Sequence, residues 1–390
     1  MKRIAYLLCE LKSRDLDGSL FLASHLLKEG FAVVIGQRWA IGENHTVVPK
    51  GCFYFPTAYK IQAAGMAQVR EAGHLVVATD EECIAVTDML STIHRSAIEN
   101  SDAFLALNQD HFDALTGKLG ADASKVIVTG SPRLEATKQA DIRPALERPY
   151  ILFNTSFPLV NSIWGNDTAI SATKESLGIE GTEVRLNAEQ RGFDAVKELV
   201  SWLTPSNHIV IRPHPAESYR AWQTLFPTAE VVAGSPTLPW LKGATVMIHC
   251  NSTTGLEAAL IGVPTLNLNP VSAYGDILRI KDISRTVQTV DEAKGVLSEF
   301  LKTGSGLPVP DVSQLFPLNG AQSAAGAIAN LLKDALPLER EFGWRRTFRD
   351  QSLKDKFTAT RDEVISHQQI SKIPRLSVHQ LDDSVFLLVP

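Results

Sequence analysis

One turn of the sequence combines residue types that bind phosphate. In "HCNSTTGLE", which runs from His249 to Glu257, three adjacent hydroxyl residues follow a strand-like segment: Ser252, Thr253 and Thr254. A helix-like segment comes next, so these hydroxyls would join unpaired backbone N–H groups at a helix N-terminus, where the helix dipole favours an anion. An ordinary N-cap explains one such hydroxyl, but not three beside Asn251 and His249. We therefore predict a phosphate site here, with Glu257 accepting hydrogen bonds from ribose hydroxyls.

A second turn, "IRPHPAE", follows another strand-like run and contains Arg212, His214 and Glu217. The rings of Pro213 and Pro215 restrict the backbone on either side of His214, which would hold the imidazole at the edge of a sheet. A single histidine is more often structural, but two flanking prolines are a costly way to build an ordinary turn. We interpret Arg212 and His214 as binding a phosphate or a leaving group, with Glu217 among the donor-binding residues.

Three acidic residues follow a strand in the first half of the chain, at Asp80, Glu81 and Glu82. Adjacent carboxylates repel one another, so at least one is expected to have a raised pKa, which suits a general base. Acids near a helix N-terminus also occur for ordinary dipole reasons. The sequence leaves open which of the three carboxylates would act in catalysis.

Further turns carry weaker signals: Arg14, Asp15 and Asp17 after the first strand, Arg133 in "VTGSPRLEA", and Asn154, Thr155 and Ser156 in "FNTSFP". Each group could be explained by capping or turn chemistry alone. The residues of the first half are candidates for the acceptor side of a site. Those of the second half are candidates for donor binding.

Parallel sheets would position these turns, because short β-branched runs alternate with helical patterns along most of the chain. In the first half, strands are predicted at Ile4–Leu8, Ala32–Ile35, Leu75–Ala78, Ala103–Leu107 and Val126–Thr129. In the second half, strands are predicted at Tyr150–Phe153, His208–Ile211, Glu230–Val232, Thr245–His249, Thr265–Leu268 and Thr286–Thr289. Ligands of open parallel sheets bind beyond the carboxyl ends of the strands, where the polar turns lie.

The alternation predicts an α/β fold of two Rossmann-like doubly wound domains. The predicted domains are 1–145, an N-terminal acceptor domain, 146–335, a C-terminal nucleotide-donor domain, and 336–390, a helical tail packing back across both. Helices are expected at Asp291–Lys302 and Ala321–Leu336. If the acidic edge of the first domain faced the phosphate-binding edge of the second, the two would form an interdomain cleft.

Composition narrows the class of protein. The 390 residues include 38 Lys and Arg and 43 Asp and Glu, a net charge of -5 that gives no general attraction to nucleic acid. No apolar run reaches the roughly 18 to 20 residues that span a bilayer, and scattered cysteines fit a reducing compartment, so a cytoplasmic protein is expected. The basic and aromatic segment Glu339–Phe357 could rest as a helix on the inner face of an anionic membrane, or be the solvated face of a packed helix.

With these turns the sequence resembles the bacterial surface carbohydrate biosynthesis protein family, which is similar to GT-B glycosyltransferases. The matching segments occur in order over roughly residues 1–270: "SRDLDGSLFLASHLLKEG", "DEE", "VIVTGSPRLE", "ILFNTSFPLVN", "IRPHPAE" and "HCNSTTGLEAALIGVP". The His-Pro and Ser/Thr elements also resemble those of capsule Kdo transferases and bacterial polysialyltransferases. The resemblance implies a GT-B fold whose C-terminal domain binds a CMP-activated acidic sugar, either Kdo or a sialic-acid-like sugar.

The resemblance also implies roles for individual residues. His214 would contact the donor phosphate, Ser252 to Thr254 would bind phosphate, and Glu257 would bind the ribose. The acidic sugar would pass to a glycan or glycolipid acceptor of a capsule or lipopolysaccharide, without a metal or other cofactor. Cys83 stands where such acidic motifs commonly continue with Gly. Three alternatives remain open: a CDP-polyol phosphotransferase, a nucleotide-sugar epimerase and a non-catalytic nucleotide-binding scaffold.

Overall fold

A computed structural model describes residues 3–81, 90, 92–271, 283–307, 309–312, 315–333, 342–347 and 357–390, except for the side chains of residues 13, 14, 176 and 177. The chain forms two compact units. The first unit consists of the N-terminal part of the chain up to Asp141 together with the C-terminal part Ser313–Pro390. The second unit consists of Ile142–Val312. Each unit is built on its own sheet with neighbouring helices, so the prediction of an α/β fold is confirmed.

The first unit begins with a parallel sheet. Its strands are β1 (Ile4–Cys9), β2 (Ala32–Gln37), β3 (Cys52–Phe55), β4 (Leu75–Thr79), β5 (Ala103–Ala106) and β6 (Val126–Val128). Its helices up to residue 141 are α1 (Lys12–Lys28), α2 (Arg38–Glu43), α3 (Lys60–Glu71), α4 (Arg95–Glu99), α5 (Gln109–Gly117) and α6 (Pro132–Gln139). The strands lie in the order β2-β1-β3-β4-β5-β6, so the direction of the chain through the sheet reverses between β1 and β3. Each strand predicted in this half is confirmed, and β3 is one that the prediction missed.

β1 lies inside this sheet, and its sequence IAYLLC is buried along its whole length. Ala5, Leu7 and Cys9 belong to a core that includes the apolar side of α1. Tyr6 and Leu8 belong to a second core that includes α3. Because successive side chains of a strand point to opposite faces, an all-apolar strand of this kind requires helices on both faces of its sheet.

The second unit repeats this plan with a six-stranded sheet. Its strands are β7 (Tyr150–Asn154), β8 (Ile209–Arg212), β9 (Glu230–Val231), β10 (Ala244–His249), β11 (Thr265–Leu268) and β12 (Arg285–Val287). Its helices are α7 (Asn166–Leu203), which breaks at Gly178, α8 (Tyr219–Leu225), α9 (Thr237–Gly243), α10 (Thr254–Leu260) and α11 (Val290–Thr303). The strand order is β12-β11-β10-β7-β8-β9, which is the Rossmann order with its switch point between β7 and β10. The strands predicted for this half are confirmed.

The C-terminal part of the chain completes the first unit with α12 (Gly320–Leu331), α13 (Arg361–Ser366), β13 (Ser377–Asp382) and β14 (Val385–Val389). β14 pairs antiparallel with both β13 and β2. The prediction of a helical tail over 336–390 is therefore wrong for these two strands. β14 pairs with β2, which lies more than 300 residues earlier in the sequence. The predicted boundary at 335 is also wrong, because α12 packs against α1 and α6 of the first unit.

A glycine permits the pairing of β14 with β2. Gly36 has a φ of 150°, and a Cβ at this position would collide with the carbonyl oxygen of Ser384. Any larger residue would push β14 away from the edge of the sheet. The turn itself is tight, with Ser384 at a φ of 57°.

Most of the segment Glu339–Phe357, predicted as a helix, lies outside the described residues. Its described part, residues 342–347, contains no helix. The Arg345 N–H donates to Asn44 Oδ1 at 2.8 Å, and the Thr347 N–H donates to Asp382 Oδ2 at 2.9 Å. The helix prediction is wrong here, because side chains of the first unit satisfy these backbone donors in place of a helical turn. No helix within the described ranges has the length and apolar character needed to cross a bilayer.

Candidate functional site

The switch point of the second unit brings together residues from three separate turns. Asn154, the last residue of β7, is paired with Arg212 of β8 on one side and His249 of β10 on the other. The Asn154 Nδ2 donates to Ser252 Oγ at 3.1 Å and to Thr254 Oγ1 at 3.3 Å. The Ser252 and Thr254 hydroxyls are 3.1 Å apart. Polar groups from the loops after β7 and β10 therefore converge where an open α/β sheet usually binds its ligand.

A network of side-chain amides shapes the loop after β10. Asn251 has a φ of 51°, a left-handed conformation that asparagine tolerates better than most residues. Its N–H donates to Asn267 Oδ1 at 2.8 Å, and its Nδ2 donates to Asn269 Oδ1 at 3.0 Å. The Asn267 Nδ2 returns a hydrogen bond to Asn251 Oδ1 at 3.0 Å. Asn251 therefore shapes the loop that carries Ser252.

His249 supports this loop through hydrogen bonds inside the protein. It is buried, with 1% of its surface exposed. Its Nδ1 accepts the Ser252 N–H at 3.1 Å, and its Nε2 lies 2.9 Å from Ser284 Oγ. Burial lowers the pKa of His249 to about 3, so the ring is neutral at physiological pH. The prediction that His249 contacts the donor is not supported by this position, because both ring nitrogens are engaged within the protein.

Replacing Asn251 should separate its backbone role from its hydrogen bonds. Both N251G and N251A lose the amide network, but only alanine places a Cβ in the left-handed region. We expect N251A to be less stable than N251G by about 1 kcal/mol. Urea unfolding followed by tryptophan fluorescence, to which Trp222 and other tryptophans of the second unit contribute, would measure this difference. Equal stabilities would mean that the φ of residue 251 relaxes at no cost.

Arg212 ends β8 as a half-buried cation. Its Nη2 donates to the Ser235 carbonyl oxygen at 2.6 Å. Its Nε is buried and has no hydrogen-bond partner among the described residues. Burial lowers the pKa of Arg212, and the negative charge of Glu257 partly opposes this effect. Since a guanidinium stays protonated at physiological pH, Arg212 presents a desolvated positive charge with an unused donor.

His214 is exposed on the loop after β8. Its Nδ1 accepts the Ala216 N–H at 3.1 Å, so in the neutral ring the proton is on Nε2. Desolvation by surrounding atoms, together with the charges of Arg185 and Arg212, lowers the pKa of His214. A neutral histidine with an N–H donor close to two cations is suited to receive an anion. An anion would also favour protonation of the ring.

Glu217 organises the loop that presents His214. Its carboxylate is 2% exposed and accepts hydrogen bonds from Thr155 Oγ1 at 2.9 Å, Asn161 Nδ2 at 3.4 Å, the His214 N–H at 3.0 Å and Trp222 Nε1 at 3.0 Å. Burial raises the pKa of Glu217, against the effect of these donors. The prediction that Glu217 and Thr155 contact the donor is not supported by these positions. Both side chains are buried and bonded to each other, so they position the loop.

The remaining predicted residues of the second unit are less defined. Thr253 is exposed and its side chain does not cap α10, which begins one residue later. Ser156 is half-buried and Glu257 lies on α10 near Arg212. A set of supporting residues was not predicted from the sequence: Asn161, Trp222, Asn267, Asn269 and Ser284. The alternation of asparagine in "LNLN" at the end of β11 was a usable signal, because polar side chains at a strand terminus often face a site.

Anion binding at His214 should be accompanied by proton uptake. The pKa of the His214 ring is lowered in the free protein, and a bound phosphate would raise this pKa. At a pH between the pKa of the free protein and that of the complex, binding therefore takes up a proton. The affinity for a nucleotide should therefore increase as the pH falls through the pKa of the bound state, and level off below that of the free state. Calorimetry of CMP binding at pH 7 in buffers of different ionisation enthalpy would measure this uptake. It should disappear in H214N.

The acidic turn of the first unit lies at the carboxyl end of β4. Asp80 and Glu81 are buried, with 0% and 8% of their surface exposed, and Glu82 lies outside the described residues. The Glu81 Oε1 accepts a hydrogen bond from Ser131 Oγ at 3.1 Å. Glu81 also lines a small cavity with Asp15, close to the end of β1. The structure thus brings together two acids from separate predicted turns.

The other acceptor-side candidates are less concentrated. The Asp15 Oδ2 accepts the backbone N–H groups of Glu10 and Leu11, at 2.7 and 2.9 Å, so it also stabilises the turn before α1. Asp17 is exposed, and its Oδ1 lies 3.8 Å from Nε2 of His367, the residue that follows α13. The prediction that Asp17 belongs to the site is not supported by this position. Other candidates in these turns are Arg14, whose side chain is not described, and half-buried Arg133.

Comparison with known proteins shows the fold. No protein-family model matches the sequence, and a search of curated proteins gives no match. The UDP-GlcNAc 2-epimerase from Methanocaldococcus jannaschii is similar in structure, with a TM-score of 0.52 and 11% identity over 85% of this chain and 100% of that one. S. aureus MnaA in complex with UDP has a TM-score of 0.51 and 14% identity over 88% of this chain and 100% of that one. Two α/β units of this kind, similar to those of these two proteins, identify the fold of this chain as GT-B.

Proposed function

We propose that the protein is a glycosyltransferase of surface polysaccharide biosynthesis that uses a nucleotide-activated sugar. The observation that carries the proposal is the group of polar residues at the switch point of the second unit. Arg212, with a buried and unused Nε donor, is paired in the sheet with Asn154, which holds the hydroxyls of Ser252 and Thr254. His214 follows Arg212 on the next loop. This combination of cation, N–H and hydroxyl donors suits a phosphate.

The chemistry follows from charge. When a sugar leaves its nucleotide, negative charge develops on the departing phosphate. A fixed guanidinium and the Nε2–H of His214 would stabilise this charge without reorganising, which is how preorganised donors lower a barrier. Glu257, close to Arg212, would accept hydrogen bonds from the ribose. One of the three acids Asp80, Glu81 and Glu82 would act as the base. These donors would take the place of a metal ion.

The donor we propose is a CMP-linked acidic sugar, either Kdo or a sialic-acid-like sugar. The resemblance of the His-Pro and Ser/Thr turns to those of capsule Kdo transferases and polysialyltransferases supports this choice. The acceptor would be a glycan or glycolipid. Peripheral contact with a membrane through the segment Glu339–Phe357 belongs to the same proposal.

A second candidate function is the epimerisation of a nucleotide sugar. The structural similarity to UDP-GlcNAc 2-epimerases over more than four fifths of the chain favours it. An epimerase needs the same phosphate contacts, because it also weakens the bond between the sugar and the phosphate. It differs in needing no acceptor and in returning the nucleotide to the sugar.

Product analysis would separate the two. The full-length protein would be incubated with CMP-Kdo, CMP-sialic acid or UDP-GlcNAc, each with and without glycan acceptors, and the products resolved by chromatography and NMR. Free CMP in equal amount to a glycosylated acceptor is expected. Formation of the 2-epimer of UDP-GlcNAc without net release of UDP would replace the proposal by the epimerase. Nucleotide binding without turnover of any donor would indicate a non-catalytic scaffold.

A further inference from the structure

Arg185 is a cation of the second unit that was not predicted from the sequence as part of the site. It lies on α7, where its Nε donates to the Glu189 Oε1 at 2.8 Å. The side chain of Glu189 is 5% exposed, whereas that of Arg185 is 32% exposed. The carboxylate is therefore the inner member of this ion pair, and the guanidinium is the outer member, which a ligand can reach.

Hydrogen bonds join the ion pair to the loop that presents His214. The Glu189 Oε2 accepts the Leu159 N–H at 2.7 Å, which attaches the pair to the loop after β7. Further along this loop, the Ile163 N–H donates to the Ala216 carbonyl oxygen at 3.0 Å. The Ala216 N–H in turn donates to His214 Nδ1. The ion pair and His214 are therefore held in one hydrogen-bonded framework.

The positive charge of Arg185 acts on His214. Desolvation is the main cause of the lowered pKa of His214, and the charges of Arg185 and Arg212 lower it further. Of the two charges, that of Arg185 has the larger effect. Because solvent screens charges that are far apart, Arg185 must lie near the ring. Arg185, Arg212 and His214 thus form one cationic cluster, which is unfavourable unless an anion binds to it.

The guanidinium of Arg185 retains unused donors. Besides the donor on Nε, which binds Glu189, it has two terminal NH₂ groups. Among the residues that the structure describes, only Glu189 forms a hydrogen bond or an ion pair with Arg185. The terminal NH₂ groups form the planar fork that binds a carboxylate or a phosphate through two parallel hydrogen bonds. Glu189 therefore fixes the direction of a fork that is free to bind an anion.

A ligand that matches this cluster has two anionic groups close together. Arg212 and His214 suit the phosphate of the donor, which leaves Arg185 for a second anion. In a CMP-linked Kdo or sialic acid, the carboxylate is attached to the anomeric carbon, the same atom that carries the phosphate ester. The two anions of such a donor are therefore neighbours. A neutral sugar such as GlcNAc has no charge beside its anomeric carbon, and in UDP-GlcNAc both anionic groups belong to the diphosphate.

We propose that Arg185 binds the carboxylate of the donor sugar, beside the phosphate held by Arg212 and His214. This inference rests on the proposed function and assigns the recognition of an acidic sugar to one residue. Arg185 discriminates against neutral sugars, because they leave its fork unpaired next to other cations. Glu189 is a positioning residue, since it contacts the guanidinium and not the sugar.

The test measures by calorimetry how the full-length protein binds a donor analogue with and without its carboxylate charge. The analogues are CMP-3-fluoro-sialic acid and CMP-3-fluoro-Kdo, in which fluorine next to the anomeric carbon prevents transfer, and the methyl ester of each. In the wild type, we expect the acid of at least one analogue to bind about tenfold more tightly than its ester, as for a hydrogen bond to a charged group. In R185A, the acid and the ester should bind equally, because the cation that distinguishes them is gone.

Three controls separate this effect from a damaged fold. CMP carries no sugar, so R185A should bind CMP as the wild type does. R185K keeps a cation beside the buried carboxylate of Glu189, but an ammonium lacks the fork, so this variant should also lose most of the preference for the acid. The matched control is R191A, since Arg191 is an exposed residue of the same helix. R191A should keep the full preference.

The possible failures can be told apart. A preference for the acid that R185A and R185K both retain would overturn the inference and leave the proposed function standing. Weaker binding of CMP in both variants, at a wild-type Tm, would also overturn it, because Arg185 would then contact the nucleotide phosphate. If the wild type binds UDP-GlcNAc and neither acid, the proposed function fails as well. Weaker binding of UDP-GlcNAc in R185A would then assign Arg185 to the second phosphate of the diphosphate.

Discussion

R212A is expected to weaken nucleotide binding by about 30-fold or more, because truncating one partner of a buried charged pair costs roughly 2–5 kcal/mol. Arg212 is half-buried with an unused Nε donor, so a bound phosphate would gain a desolvated cation without reorganisation. R212K should recover only part of the affinity, since an ammonium retains the charge but not the planar set of donors. Calorimetry with CMP would measure both variants.

The matched control for this experiment is R220A. Arg220 lies on α8 of the same unit, is exposed, and stacks only loosely on Tyr219, with 6.0 Å from its guanidinium carbon to the ring centroid. R220A should bind CMP as the wild type does. Wild-type affinity in R212A would contradict the phosphate site at the end of β8. A Tm of the free R212A protein close to that of the wild type would exclude unfolding as the cause of a loss.

E217Q is expected to lower the stability of the second unit by about 2–3 kcal/mol and to weaken CMP binding, although Glu217 contacts no ligand. The ionised carboxylate accepts four hydrogen bonds, from Thr155, Asn161, Trp222 and the His214 backbone. An amide has one oxygen, and its NH₂ group would face N–H donors. The loop that presents His214 would then lose its anchor.

Urea unfolding followed by tryptophan fluorescence would report this loss, because Trp222, one of the 6 tryptophans, donates to the same carboxylate. E198Q is a suitable control, since Glu198 is an exposed helix residue paired with Lys294 and should contribute less than about 1 kcal/mol. The weaker binding should persist at temperatures where E217Q is fully folded. If the affinity returned to that of the wild type there, Glu217 would stabilise the fold without positioning His214.

Much of the fold could be predicted because it depends on local sequence. Runs such as "ILFN" and "VMIH" are apolar and β-branched or aromatic, and each ends in small polar residues, so strand and turn can be read together. β3 (Cys52–Phe55) was missed because "CFYF" is a short continuous apolar run, which periodicity alone does not assign to a strand. The pairing of β14 with β2 depends on contact between the two ends of the chain, which no local pattern contains.

The candidate site could be predicted in its location but not in its division of roles. Sequence order places Arg212, His214 and Glu217 in one turn, and the polarity of all three suggests ligand contacts. For Glu217 the structure indicates a supporting role instead, because its side chain is buried. Three of its hydrogen-bond partners come from other elements, which only the folded chain brings together.

The joining of β14 to β2 has a consequence for folding during synthesis. The second unit is made from a nearly continuous segment, so all of its strands can pair before the last 78 residues of the sequence are translated. The sheet of the first unit, although made earlier, keeps the edge of β2 unpaired until β14 leaves the ribosome. Exposed strand edges invite pairing with other chains. The N-terminal unit should therefore be the part of the nascent chain that depends most on chaperones, and the last to become stable.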